Sequence, residues 1–379
     1  MRRHVLHVLG LALTHPASVL ASLGADQHGF AAVIPDPRLE FPRDHGAHPD
    51  FRIEWWYVTA WARAAQRDGH TEDIGIQITF FRVNTGWQRA HKSRFAARQL
   101  LFAHAALALP QEARLITTER AARMHQSLAS AEQSDTRLML DRWRFERHAD
   151  DRYQIAIDDS RFSLTLTLKA SHAPLLQGVA GFSQKGPQPA QASYYYSRPH
   201  LTLAGSLEYR SSNSRDPMRQ RTGIAELQGQ AWFDHEWSSE LLDERAQGWD
   251  WVGLHFNDGS ALMAFRIRSR HRDPLWSDAN WVDAQHRRQL TDEDARSVRF
   301  EPMRHWRSPR SGANWPVAMR IMIGKRRLEL QPLIDDQELN TQASTGITYW
   351  EGAVTVVESG QTIGRGYLEL TGYAQALRI

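Results

Sequence analysis

Acidic and imidazole side chains set among indoles mark one stretch of this sequence as a place where chemistry could occur. Between Gly229 and Gly259 the chain places Asp234, His235, Glu236 and Asp250 among Trp232, Phe233, Trp237, Trp249, Trp251 and Phe256. An ionisable group against large apolar rings is costly to bury unless paired, and burial shifts its proton affinity. A carboxyl raised in this way keeps a proton near neutral pH and can deliver it, while an indole face stabilises a nearby cation. Protonating an isolated alkene generates a carbocation, so acids at an aromatic wall suit hydration of a double bond. The same residues also suit a passive hydrophobic pocket, or a Trp-rich core with structural ion pairs. A second such place is Glu54 beside Trp55 and Trp56.

Other chemistries find little support. No Gly-rich phosphate loop joins a strand to a helix, no Gly-x-Ser-x-Gly elbow is present, and His235-Glu236 is not followed by the second histidine of a zinc-protease motif. On a strand, Asp234 and Glu236 share one face and His235 takes the other, so one ion could not collect all three and no metal site is expected. With no cysteine, a thiolate ligand, a cysteine nucleophile and disulfides are excluded. The formal charge is +3 and no Lys/Arg block occurs, so a nucleic-acid partner is not expected.

The 379 residues, 41% hydrophobic and 23% charged, describe a globular chain with length for two domains. Arg2 and Arg3 precede an apolar run from Val5 to Leu13, and Val19-Leu20-Ala21 offers a small-residue cleavage pattern. This resembles a short secretory signal. No later run reaches the roughly 20 apolar residues of a membrane span.

The elements that must position these residues read as strands. Ile74, Ile76, Ile78 and Phe80 alternate with smaller or polar residues. Tyr153 to Ile157 and Phe162 to Leu168 alternate on either side of a turn at Asp158-Asp159-Ser160, and Asn257-Asp258-Gly259 is a further hairpin turn. His104 lies within an apolar run, and Tyr195 within an aromatic strand whose hydroxyls either pack or enter a cavity. One short helix is expected within Thr118–Ser130, a loop at Pro302–Pro316 and a linker at Ser211–Arg221. Recurrent short strands with almost no helical period predict an all-β chain of two sandwiches or barrels of similar length.

Several motifs occur together in order: Glu54-Trp55-Trp56-Tyr57, Ala103-His104-Ala105-Ala106, Asp234-His235-Glu236-Trp237-Ser238-Ser239, Gly248-Trp249-Asp250-Trp251, Tyr349-Trp350-Glu351-Gly352-Ala353, and the ending Gly364 to Tyr373. In this combination the chain resembles the AttH/carotenoid 1,2-hydratase (hydroxyneurosporene synthase) family from about Pro35 to the C-terminus, and looks closer to the AttH branch. The resemblance implies two lipocalin-like β-barrel domains packed together, here 35–220 and 221–379, after a signal segment at 1–25. It implies a periplasmic or secreted protein acting on a hydrophobic small molecule, with no cofactor. The reaction would be hydro-lyase chemistry, water adding to a carbon–carbon double bond of an isoprenoid-like substrate. The alternative is a non-catalytic carrier of a lipid, isoprenoid or polyketide-like ligand. Carried onto this chain, the family's Asp-His-x-Trp motif falls on Asp234, His235 and Trp237, with Asp250 the nearest second acid. Glu54, Trp55, Trp56, His104, Tyr195, Glu236, Trp249 and Trp251 are the expected ligand-binding residues. Because the motif pairs His235 with Trp237, and a histidine beside an indole can hold a proton near neutral pH, the site is expected on their face of the strand.

Overall fold

The computed structural model describes residues 29–377 except 67–68, 88–92, 94–95, 126, 211–221 and 241. The expected signal segment and the Ser211–Arg221 linker therefore lie outside the described residues. The first sheet contains β1 (Ile53–Gln66), β2 (Thr71–Asn84), β3 (Gln99–Ala108), β4 (Leu115–Arg123), β5 (Ala129–Ala131), β6 (Arg137–Leu140), β7 (Trp143–Arg147), β8 (Arg152–Asp158), β9 (Phe162–Lys169), β10 (Leu175–Leu176), β11 (Phe182–Gln184), β12 (Ala192–Arg210) and β13 (Thr222–Ser238). Its order is β4-β3-β2-β1-β13-β12-β9-β8-β7-β6-β5, with β10 and β11 on β12. The sheet curls into a nearly closed barrel around one apolar core.

The second sheet contains β14 (Ala246–Phe256), β15 (Ala261–Ser269), β16 (Pro274–Val282), β17 (Arg299–Arg307), β18 (Asn314–Ile323), β19 (Arg326–Pro332), β20 (Glu338–Thr341), β21 (Ile347–Glu358) and β22 (Gln361–Leu370). It runs β16-β15-β14-β22-β21-β19-β18-β17, with β20 on β21, and forms a half-barrel over a second core. One short helix, α1 (Asp292–Arg296), is capped by the Thr291 side chain. The chain is all-β in two packed domains, as the alternation and turn signals predict, but the two sheets differ in size. The first sheet takes in β13, so the chain crosses to the second sheet after Ser238, not at residue 220.

Burial patterns explain which strands alternate in sequence. β9 faces the barrel core on one side and solvent on the other, and its FSLTLTLK reads out that period. β1 is buried on both sides along most of its length, because its inner face fills the barrel and its outer face meets the second domain. IEWWYVTAW therefore shows no alternation.

Two local expectations are corrected. The described residues of 118–130 are not helical; Leu115–Arg123 pairs with β3 as a strand, with Ile116 and Thr118 buried on one face and Ala122 packed against the core. Pro302–Pro316 is not a loop throughout: β17 runs to Arg307 and β18 begins at Asn314. Pro302 is tolerated because β17 is the sheet's edge strand and its pairing shifts between Pro302 and Arg304.

The domains meet face to face. The Trp61 indole donates to the Gly366 carbonyl at 2.8 Å, and Asn280 donates to Gln177 at 3.0 Å. Gly75 permits this approach: a Cβ there would lie 2.6 Å from the Tyr367 hydroxyl and 2.7 Å from Ala353 Cβ. No helix among the described residues is long and apolar enough to cross a membrane.

Candidate active site

Strand parity decides which side chains enter the space between the domains. On β13, Trp232, Asp234 and Glu236 turn outward from the barrel, while Phe233, His235 and Trp237 turn into it. On β21 and β22, Glu351 and Glu369 turn toward the first domain, while Trp350, Leu368 and Leu370 fill the second core. The result is a cleft at the domain junction, walled by Trp55, Phe81 and Phe102 from the first domain and Trp249, Trp251 and Phe265 from the second. Four carboxyl groups project into this apolar space.

Glu351 and Glu369 are direct partners in the β21–β22 ladder. Side chains so placed have Cβ atoms about 4.5–5.5 Å apart, and two like charges there repel. Burial, and then the neighbouring Glu369 charge, push Glu351 well above the usual carboxylate range. Burial likewise raises Glu369 to about 8, although the Trp249 indole donates to it at 3.0 Å and opposes the rise. One member of the pair therefore keeps its proton at neutral pH. Glu351 Oε1 has no hydrogen-bond partner. The Tyr57 hydroxyl makes no bond of normal length either, but it faces the Glu351 carboxyl closely enough to lower its pKa, while burial and then the Glu351 charge push Tyr57 well up. Unpartnered polar atoms in a buried cleft are groups a ligand would satisfy.

Asp234 is held more firmly. It accepts from the Trp232 indole at 2.6 Å, Tyr195 at 2.7 Å and Ser197 at 2.5 Å. Burial outweighs these bonds and lifts it to about 7. Glu236 pairs with Lys185 at 3.0 Å and accepts from Ser193 at 2.5 Å. The Lys185 ammonium also sits over the rings of Phe265 and Tyr195, at 4.1 and 4.7 Å from their centroids. His104 lines the far wall, its nitrogens bonded to Tyr349 and Ser344 at 3.0 and 2.9 Å, and burial lowers it to about 3. It is a neutral positioning group there.

The other face of β13 builds a closed network inside the barrel. The Glu54 carboxylate receives Arg82 at 2.7 Å, His48 Nδ1 at 2.7 Å and His235 Nε2 at 2.9 Å. Burial alone would raise Glu54, but the charges of Arg82 and His48 and these hydrogen bonds hold it well below its ordinary value. Trp237 stacks on His48 at 3.7 Å and Trp56 on His235 at 4.7 Å. Burial lowers His235 to about 4, only partly offset by Glu54. The ligating atoms of His48, Glu54 and His235 lie within 4.8 Å of one another. The converging nitrogens are already hydrogen-bonded to Glu54 Oε1, and the Arg82 guanidinium supplies a cation beside the carboxylate, so the network is satisfied as it stands. The outer nitrogens, His48 Nε2 on Asp44 and His235 Nδ1 on Tyr196, are held as those of metal ligands also are.

Of the residues expected at the site, Trp55, His104, Tyr195, Asp234, Glu236, Trp249 and Trp251 face the cleft. Trp56, His235 and Trp237 lie in the barrel core, so the cleft opens on the face of β13 opposite to the expected one. Glu54 borders the cleft, but its carboxylate is turned inward. Asp250 points into the second domain, held by Arg266 at 2.6 Å, Arg268 at 3.0 Å and Tyr373 at 3.0 Å. Sequence reasoning missed Glu351, Glu369, Tyr57 and Lys185. The signal was present in Tyr349-Trp350-Glu351 and Tyr367-Leu368-Glu369, where a period-two reading puts each glutamate on its tyrosine's face.

These features define a two-domain, lipocalin-like β protein with an aromatic, carboxyl-bearing cleft at the domain junction. The chain belongs to the AttH-like family, whose model matches residues 32–373. A solved structure of an AttH candidate from Nitrosomonas europaea is 43% identical, covers 91% of this chain and 100% of that one, and superposes with a TM-score of 0.79. Kievitone hydratase from Nectria haematococca has the same fold, with a TM-score of 0.62 at 12% identity over 91% of this chain and 96% of that one. No curated protein matches the sequence.

Proposed function

We propose that this protein is a hydro-lyase that adds water to a carbon–carbon double bond of a hydrophobic, isoprenoid-like molecule held in the interdomain cleft. The observation that carries the reading is the Glu351–Glu369 pair, two buried, directly opposed carboxyls lining a cleft with Trp249 and Trp251, with Glu351 Oε1 unpartnered and Glu351 raised by burial above the usual carboxylate range. The Glu351 carboxyl gives its proton to the less substituted alkene carbon, forming the new C–H bond and leaving a cation on the other carbon. Trp249 and Trp251 line the cleft, and an indole face stabilises a nearby cation. A water oxygen then bonds to the cationic carbon and gives its extra proton to the carboxylate pair, which restores the acid. The balance is one alkene plus one water to one alcohol, with no redox change. The hydratase activity named for the structural relative is in keeping with this reading.

The test is incubation with acyclic isoprenoids bearing a terminal double bond, in water enriched in ¹⁸O. A product heavier by one labelled water supports hydration. A ligand retained and recovered unchanged overturns it in favour of a carrier, which the same aromatic walls would serve. We further propose that the protein works in the periplasm or outside the cell. The intact mass of protein recovered from those fractions of the native host should show removal of a segment ending near Ala21–Ala25, whereas an intact Met1 in the cytoplasm would refute export.

A further inference from the structure

At the far wall of the cleft, four side chains from both domains join in one hydrogen-bonded chain. Tyr349 lies on β21 and His104 on β3, while Glu119 lies on β4 directly opposite His104 in the β3–β4 ladder. Ser344 comes from the turn between β20 and β21. The Tyr349 hydroxyl is 3.0 Å from His104 Nδ1, and Ser344 Oγ is 2.9 Å from His104 Nε2. Ser344 Oγ also bonds to the Glu119 carboxylate and faces the Thr341 carbonyl at 3.4 Å. His104, Ser344 and Tyr349 are buried, and Glu119 is half-buried.

The direction of every hydrogen in this chain follows from its outer end. A carboxylate and a carbonyl only accept. The Ser344 hydrogen therefore points to one of them, since turning it to His104 would leave oxygen lone pairs facing each other at contact distance. His104 Nε2 must then carry a hydrogen and donate it to Ser344 Oγ. Burial lowers His104 to about 3, so at pH 7 its ring is neutral and holds a single N–H. Nδ1 is left as a bare acceptor, and the Tyr349 hydroxyl donates to it. Burial, then the charges of Glu351, Glu369 and Glu119, push Tyr349 well above its ordinary value, so it keeps that hydrogen. With its hydrogen committed to His104, the Tyr349 oxygen has only lone pairs left for the cleft it lines.

A water that attacks a cation presents its oxygen to carbon and its hydrogens to the protein, so the group that holds it must accept. Tyr349 and Glu351 leave the same face of β21, about 7 Å apart along the strand. An acid and an acceptor thus stand side by side on one cleft wall. We propose that Tyr349 holds the attacking water, and that Ser344 and Glu119 are positioning residues that fix His104 as its Nε2–H tautomer so that Tyr349 accepts. This role rests on the hydration proposed above, since the water held here is the one that bonds to the cationic carbon. Tyr349 and His104 neither gain nor lose a proton over the cycle. The water still gives its extra proton to the Glu351–Glu369 pair.

Two measurements need no substrate. In ¹⁵N-histidine NMR of the full chain at pH 7, with His104→Gln to assign the signals, His104 should be neutral, with Nε2 protonated and Nδ1 bare. A proton on Nδ1 would overturn the proposal. Crystal structures should show an ordered water about 2.8 Å from the Tyr349 oxygen in the wild type and none there in Tyr349→Phe. No water beside Tyr349, or one that stays in the variant, would also overturn it. With an isoprenoid that the wild type hydrates, Tyr349→Phe should lower kcat by roughly tenfold or more while KM stays within about twofold. Ser344→Ala should lower kcat by a smaller factor and let the second His104 tautomer appear in the NMR spectrum. A wild type that hydrates nothing overturns the hydration itself, and with it the role of this water as nucleophile. Hydration that proceeds with kcat unchanged in Tyr349→Phe overturns only the part given to Tyr349.

Discussion

Glu351→Gln should abolish hydration while making the protein more stable at alkaline pH. Loss of the proton donor removes general-acid catalysis, typically worth about 10²–10⁴ in rate. Glutamine keeps the shape and the polar oxygen but cannot release a proton. The stability change has the opposite sign for a reason rooted in linkage. A carboxyl raised in the folded state binds a proton that the unfolded chain gives up. Its favourable contribution is complete below the ordinary value of 4.5 and is lost as pH rises through the folded value, about 8 for Glu369. Between those limits wild-type stability slopes downward. Removing Glu351 removes a group that burial and the Glu369 charge raise, so the slope flattens. The variant should gain roughly 1–4 kcal/mol at pH 8, since a tenfold change in proton affinity corresponds to about 1.4 kcal/mol. Urea unfolding of both proteins at pH 5 and pH 8 checks this. A variant that is inactive and also less stable at pH 8 would make Glu351 a structural group instead.

Glu54→Ala should act through the fold. The Arg82 side chain is fully buried, and this substitution strips the charge it faces. It keeps hydrogen bonds to Gln99 and to the carbonyls of His48 and Phe51. Breaking one side of a buried pair typically costs about 3–5 kcal/mol because a charge is left uncompensated. At roughly two to four degrees per kcal/mol, the melting temperature should fall by about 10 °C. The pH signature is the reverse of that of the cleft pair. Glu54 is held below its ordinary value, so its stabilisation is complete above 4.5 and is lost as pH falls through the folded value. The Glu54→Ala variant should lack that acid limb, which thermal scans between pH 3 and pH 7 would reveal. Equal melting temperatures at pH 7 would show that the network contributes nothing to stability.

The contrast between these two glutamates shows what could be read before the strands were assembled. Strands with one solvent face, such as β9, announce themselves by alternation, and the hairpin turns at 158–160 and 257–259 follow from their residues. The opposite faces of Asp234 and His235 are also legible, because side chains alternate along any strand. Which face meets a cavity is not legible there, since it depends on the second domain docking against the outside of the barrel. His235 beside Trp237 suggested a reactive imidazole, yet those rings lie tilted against each other in a core where Glu54 and Arg82 complete the charge balance. Asp250 looked available among its tryptophans until Arg266 and Arg268, on the neighbouring strand, closed around it. Glu351 and Glu369 become a pair only through the β21–β22 register, and neither is close in sequence to the Trp-rich stretch. Local pattern carried the sheet content, while the site needed register and domain packing.

Hydration in this cleft requires a carboxyl that keeps its proton at neutral pH. Infrared difference spectroscopy of wild type against Glu351→Gln at pH 7, with ¹³C-labelled glutamate to mark the band, measures this most directly. The wild type should show a protonated-carboxyl carbonyl band that shifts with the label and is lost in the variant, since burial holds Glu351 well above the usual carboxylate range. A wild type whose glutamates are all ionised at pH 7, with no such band to lose, would contradict hydration in this cleft.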